Sequence, residues 1–285
     1  MCTGDVQQKK EKLVENLLKL DSLLIAYSGG VDSTFLLAVA HDVLKDHVTA
    51  VTASSPTYPA KEQKNAVEFV RKHGIKHIIF KSDEVSLPEF SSNNPDRCYY
   101  CKKLLSIELR RIADGIGVKH IALAVNTDDL TDYRPGIKAA GEMGLINPLV
   151  DAQLTKEEIR TLSKEMGLPT WNKPAMACLA SRIPYGEEVT AEKLKMIEEA
   201  EDFLIEKGFL QCRVRHYGSL ARIEVKNTEI SKLAEADLRE NIVEKFRQIG
   251  FLHISLDLEG YTSGNLNRIL LNKHNGSAEN HYIKN

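Results

Sequence analysis

A doubly wound parallel α/β sheet, followed by a smaller α+β domain, is the fold class predicted for this chain of 285 residues. Three observations predict it. Apolar strands recur between segments of helical spacing with charged faces, which is the signature of helices covering both sides of a parallel sheet. The first strand runs into Ser28-Gly29-Gly30 and then a helix, as at the carboxyl edge of such a sheet. Past a proline-bearing passage the alternation stops, and hairpin-like strands with long helices take over.

The elements follow in order. An amphipathic helix over about 5–20 leads into the strand Leu23-Leu-Ile-Ala26, and a helix starts at Val31 and runs to about Lys45. Strands are expected at 47–53, 77–81, 120–125 and 145–150, with helices at 59–73, 98–115 and 135–143 between them. Thr155-Lys-Glu-Glu158 is a capping box opening a helix that ends near Gly167. The passage from Leu168 to Gly186 has little periodicity. A helix over 190–207, two strands around His216-Tyr-Gly-Ser219, a helix over 230–250 and a strand over 252–258 follow. The implied domains are 1–170, a linker 171–189 carrying Cys178, 190–271 for substrate binding or oligomerisation, and a flexible polar tail 272–285.

With 42% hydrophobic and 27% charged residues, the composition is that of an ordinary soluble protein. A net charge of −2 supplies no global field toward nucleic acid. No apolar run is long enough to span a membrane, and the start has no apolar signal core, so a cytoplasmic location without membrane partners is expected. Five cysteines in such a chain read as thiols or metal ligands rather than a disulfide framework.

The glycine turn carries the first chemistry. Glycine tolerates positive φ and lets backbone amides face outward, and the helix beginning at Val31 points its positive end at the same place. Ser28, Gly29, Gly30, Val31, Asp32 and Ser33 thus form a phosphate nest. It is not a Walker A loop, because no lysine follows the glycines. Asp32 does, and an acid beside phosphates suggests a bridging Mg²⁺. The turn Asn126-Thr-Asp128-Asp129 ends another strand and should open on the same site.

Cys98 and Cys101 form a C-x-x-C at a helix start, and Cys178 lies in the linker. A redox dithiol, half a zinc site and coincidence all fit a single C-x-x-C. The helix N-terminus with Arg97, Lys102 and Lys103 favours thiolates there. Adding Cys178 gives three thiolates, and three ligands on a four-iron cluster leave one iron open. Arg213 and Arg215 alternate on one strand and so share a face, with Cys212 on the opposite, core side.

Ser28-Gly-Gly-Val-Asp-Ser33 resembles the pyrophosphate loop of ATP pyrophosphatases, the PP-loop enzymes with an adenine nucleotide alpha hydrolase-like fold. Together with Asp96-Arg-Cys-Tyr-Tyr-Cys-Lys102, Cys178-Leu-Ala-Ser-Arg-Ile-Pro-Tyr-Gly186, Arg213-Val-Arg215 and Ala221-Arg-Ile-Glu-Val225, it makes the chain similar to the LarE family. The resemblance implies an ATP-dependent sulfur transferase. Such enzymes adenylylate a carboxylate of pyridinium-3,5-biscarboxylic acid mononucleotide and convert it to a thiocarboxylate for the nickel-pincer nucleotide. It implies that ATP and Mg²⁺ bind at the loop. Ser181 and Arg182, with Arg213 and Arg215, would hold the phosphate or carboxylates of this small-molecule substrate. It also implies a homo-oligomer, since family members form trimers and hexamers.

One branch of the family sacrifices a cysteine matching Cys178. The added Cys98 and Cys101 resemble the other branch, in which three cysteines hold a [4Fe–4S] cluster that delivers sulfide from a donor the residues do not specify. Three rivals remain. A tRNA thiolase of the PP-loop type would need a basic surface, which a pI near 6.5 does not suggest. An amide-forming synthetase of the NAD or GMP synthase kind needs no cysteine triplet. A non-catalytic zinc and nucleotide-binding protein would release no pyrophosphate.

Overall fold

The computed structural model describes residues 3–130, 135–174, 177–262 and 264–268, in two compact units divided between Ala177 and Cys178. The tail expected beyond 272 lies outside the described residues. No helix among the described residues is long and apolar enough to cross a membrane.

The first unit is a four-stranded parallel sheet in the order β3-β2-β1-β4, with β1 at Leu23–Ala26, β2 at Val48–Ser54, β3 at Lys76–Lys81 and β4 at His120–Ala122. Helices α1 (Thr3–Leu18), α2 (Val31–Leu44), α3 (Ala60–Lys72), α4 (Arg97–Gly115), α5 (Pro135–Glu142) and α6 (Lys156–Glu165) accompany it. Two apolar layers sandwich the sheet. Leu23, Ile25, Val48 and Ala50 pack with Leu13, Leu17, Phe35 and Leu162, while Leu24, Val51 and Ile121 pack with Leu109 and Ile112. Alternate residues of β1 therefore serve opposite layers, which is why its sequence is apolar throughout. The capping box is formed: Thr155 Oγ1 accepts the Glu158 N–H and Glu158 Oε2 accepts the Thr155 N–H.

The strand expected at 145–150 shrinks to one bridging residue. Ile146 pairs with Ala122, donating to Ile121 O and accepting from Leu123 N. Pro148, which has no N–H for a ladder, instead opens a single helical turn over Pro148–Asp151.

The second unit contains α7 (Ala191–Glu206), β5 (Cys212–Tyr217), β6 (Leu220–Val225), α8 (Ala236–Ile249) and β7 (His253–Leu256). β5 and β6 are antiparallel about a two-residue turn in which Gly218 takes φ +61, and β7 adds parallel to β6. The helix expected over 230–250 is broken. A turn at Ile230–Leu233 ends, and Glu235, in an extended conformation, starts α8 afresh. The break lets Leu233, Ile242 and Phe246 all enter the core with Phe209 and Phe251.

Candidate active site

The loop after β1 is braced from both sides. The Tyr27 N–H donates to Val51 O and Thr52 Oγ1 donates to Tyr27 O, so the exit from β1 is tied to β2. Ser28 Oγ and Ser33 Oγ lie 3.0 Å apart, and Ser33 Oγ donates to Gly30 O. Gly29 has φ +70, and a Cβ there would sit 2.9 Å from the Ala66 Cβ of α3. Both facts demand glycine. Gly30 is the N-cap of α2 and makes no side-chain cap, so the first amides of α2 keep their capacity for an anion.

Lysines reach this loop from far along the chain. Lys173 Nζ donates to Gly29 O at 2.9 Å and is ion-paired with Glu62 of α3. Lys156, the first residue of α6, places its Nζ 2.5 Å from Asp32 Oδ2. Among the described residues, the other oxygen, Asp32 Oδ1, is buried with no partner at hydrogen-bond geometry, the Asn126 side chain being its polar neighbour. Burial raises the Asp32 carboxyl above its ordinary range, Asp129 adds to the rise, and Lys156 and the Asn126 side chain pull it back in part. A hard oxygen so placed beside an anion nest fits a magnesium ligand.

Asn126 and Asp128 organise the neighbouring turn. Buried Asn126 accepts the N–H groups of Asp128 and Asp129 on its side-chain oxygen. Asp128 Oδ2 accepts the Lys156 N–H at 2.9 Å, so this carboxylate holds the base of the lysine that meets Asp32.

Cys98 and Cys101 occupy the first turns of α4, one exposed and one half-buried, three residues apart and so on one face. Gly136 of α5 lies against this turn, where a Cβ would meet Cys98 O at 3.3 Å. Tyr99 Oη donates to Glu142 at 2.7 Å. Arg97, expected beside the thiols, turns inward and donates to Asn93 Oδ1. Among the described residues, no three His, Cys, Asp or Glu side chains are grouped to hold a metal ion.

Cys178 opens the second unit as the N-cap of a 3₁₀ turn, Leu179–Arg182. Two arginines hold its backbone. Arg182, 0% exposed, grips Glu201 through Nε and Nη2 at 2.9 and 2.8 Å, and its Nη1 donates to Cys178 O at 3.0 Å and Ser181 Oγ at 3.1 Å. Burial works against this charge and the Glu201 carboxylate outweighs it, holding the guanidinium above its ordinary value. Arg215 grips Glu224 at 2.8 and 2.7 Å and donates to Ser181 O at 2.8 Å. Arg213 donates to Cys212 O and lies over the Tyr261 ring at 5.1 Å. The guanidinium forks of Arg182 and Arg215, read from sequence as substrate grips, are thus engaged by carboxylates of their own chain. Cys212 is buried as expected, and burial pushes its thiol up to about 12.

Lys156, Lys173, Glu62 and Glu201 escaped the sequence reading. Only Lys156 carried a local signal, its place inside the capping box.

The chain matches the NAD synthase family over residues 8–190, which covers the nest, both lysines and Cys178. It is 36% identical to the pyridinium-3,5-bisthiocarboxylic acid mononucleotide synthase of Lactiplantibacillus plantarum, over 92% of this chain and 95% of that protein. The chain belongs to the LarE family. An uncharacterized protein of Synechocystis sp. is 44% identical over 93% of this chain and 99% of its own length. A glutamine-hydrolyzing GMP synthase polypeptide of Thermoplasma volcanium is 28% identical over 73% of this chain and 70% of its own length. This LarE-family chain is therefore an enzyme of the PP-loop type.

Proposed function

We propose that this enzyme is an ATP-dependent sulfur transferase. It adenylylates a carboxylate of pyridinium-3,5-biscarboxylic acid mononucleotide and converts it to a thiocarboxylate for nickel-pincer nucleotide synthesis. The observation that carries the reading is the glycine nest beside Asp32, whose Oδ1 is buried with no partner at hydrogen-bond geometry among the described residues. The relative from Lactiplantibacillus plantarum, named for the bisthiocarboxylate product, supplies the substrate class. Cytoplasmic residence and assembly as a homo-oligomer belong to the same reading.

A carboxylate is a poor electrophile. Its oxygen attacks the α-phosphorus of ATP, the bond to the β-phosphate bridge breaks, and pyrophosphate leaves. The acyl carbon now carries AMP as leaving group; hydrosulfide adds, AMP departs and the sulfur proton passes to solvent. The amides of Val31 and Asp32, at the start of α2, hold the departing pyrophosphate, an anion-stabilising arrangement fixed before reaction. Lys173, already on Gly29 O, lies within reach of the same phosphates. Asp32 would hold Mg²⁺, which neutralises developing phosphate charge when bound.

Cys98, Cys101 and Cys178 would hold a [4Fe–4S] cluster; thiolates are the donor set such a cluster takes, and its fourth iron would stay open for sulfide. The role of Arg182 and Arg215 is to fix the backbone of Cys178–Ser181 through Cys178 O and Ser181 O. Arg213 is the strand's candidate for the substrate phosphate.

The test is iron, acid-labile sulfide and visible absorption of anaerobically purified protein, with pyrophosphate release and thiocarboxylate formation measured on the same sample. About four irons per chain, lost with multiple-turnover activity in Cys98→Ala, Cys101→Ala and Cys178→Ala, is expected. Pyrophosphate release should survive in those variants and disappear in Asp32→Ala. A colourless protein whose chain loses the mass of one H₂S per turnover would replace the cluster by sacrifice of Cys178.

A further inference from the structure

At the carboxyl edge of the first sheet, one acidic side chain is buried far from any role described above. Glu84 is 1% exposed, yet among the described residues its hydrogen-bond partners are neutral hydroxyls rather than a cation. Ser55 Oγ and Thr57 Oγ1 both donate to Oε1, the latter at 2.6 Å, and Ser82 Oγ donates to Oε2 at 2.6 Å. Ser55 Oγ and Thr57 Oγ1 also lie 2.8 Å apart, so the three hydroxyls and the carboxylate form one closed network. Ser55 Oγ in turn accepts the Thr57 N–H at 3.0 Å. From α3, Gln63 Nε2 donates to Ser55 O and Tyr58 O. Five polar groups thus freeze the loop 55–59, the link from β2 to α3. A simple crossover needs no such network, because burying a carboxylate costs free energy that an apolar turn would avoid.

What the loop positions is the nest. Pro59 is the N-cap of α3, and within the first two turns Glu62 and Ala66 wall Gly29. Glu62 also holds Lys173, whose Nζ donates to Gly29 O. The Ser28 loop has no room to spare on this side, since even a methyl group at Gly29 would collide with Ala66. A shift of α3 by a fraction of an ångström is therefore transmitted to the nest amides and to Lys173 together.

We propose that Glu84 is a positioning residue for pyrophosphate binding, acting through the 55–59 loop and the first turns of α3. The proposal rests on the reading of Ser28–Ser33 as a pyrophosphate nest. The test is calorimetric titration of the full chain with inorganic pyrophosphate and with ATP, both with magnesium. Glu84→Ala should weaken pyrophosphate binding on the order of tenfold and raise the KM for ATP more than it lowers kcat. Glu84→Gln, which keeps an acceptor and the side-chain volume, should recover most of the binding. Ile112→Ala, a core truncation in α4, should lower the melting temperature without moving pyrophosphate affinity. A folded Glu84→Ala protein that binds pyrophosphate within twofold of the parent overturns the proposal. So does Ile112→Ala weakening it equally, because the effect would then be general destabilisation. A parent protein that binds neither pyrophosphate nor ATP overturns the nest reading and the proposal with it.

Discussion

Replacing Glu201 by glutamine tests how the Cys178 turn is held. Glu201, 5% exposed, receives Arg182 Nε on Oε1 at 2.9 Å, Arg182 Nη2 on Oε2 at 2.8 Å and the Val214 N–H on Oε1 at 2.9 Å. Glutamine keeps the shape but turns one acceptor into an NH₂ facing a donor, and it removes the countercharge of a guanidinium that is 0% exposed. Removing one partner of a buried pair costs about 3–5 kcal/mol. A domain of roughly 60–100 residues loses about 4–8 °C per kcal/mol, so a loss of about 3 kcal/mol predicts a fall of about 12–24 °C. Scanning calorimetry of the full chain measures it. A shift below about 4 °C would refute the argument, because the pair would then be acting like a solvated surface bridge. The double variant Arg182→Met/Glu201→Leu should regain most of the stability, since an apolar pair of similar volume needs no counterion. It should not regain sulfur transfer, because nothing then donates from position 182 to Cys178 O and Ser181 Oγ.

Two further outcomes follow from the geometry. Gly29→Ala should abolish pyrophosphate release and leave the protein folded, because the strain of φ +70 and the Ala66 contact are local to the nest; release at parental rates would show that the nest tolerates a side chain. At alkaline pH the chain should lose stability. Burial pushes the Cys212 thiol and the Tyr27 phenol each up to about 12, above their unfolded values of 9.0 and 10.0. Above those unfolded values the unfolded chain releases protons that the native state retains, so stability is full below about pH 9 and declines toward pH 12. The slope is at most about 1.4 kcal/mol per pH unit for each group. Urea midpoints between pH 8 and 11 should show the decline, with a shallower one in Cys212→Ala, and a flat profile would contradict it.

The alternation of strands and helices and the glycine turn between Leu23 and Val31 were legible in the chain because both depend on neighbours. Periodicity, a capping box and a φ > 0 turn are properties of a few consecutive residues. The same reading overextended two elements. A run from Leu145 to Val150 is apolar enough for a strand, but Pro148 withholds a ladder donor. The stretch from Ile230 to Gly250 has helical composition throughout, and only the demand that Leu233 and Ile242 share one core breaks it at Glu235.

The site divides along the same line. Sequence by itself singled out the glycine turn at Ser28–Ser33, the acid at Asp32 and the C-x-x-C at Cys98 and Cys101 as short-range patterns, and Cys178 by its place in an aperiodic passage. Tertiary structure decided which charges answer one another. Lys156 meets Asp32 across 124 positions and Lys173 meets Gly29 across 144, distances over which no local pattern operates. Likewise Arg182 and Arg215 looked like anion grips by residue type, whereas the fold had already given Glu201 and Glu224 to their guanidinium forks. A guanidinium buried with its own carboxylate serves to hold backbone in place, and only packing settles which arginines are buried.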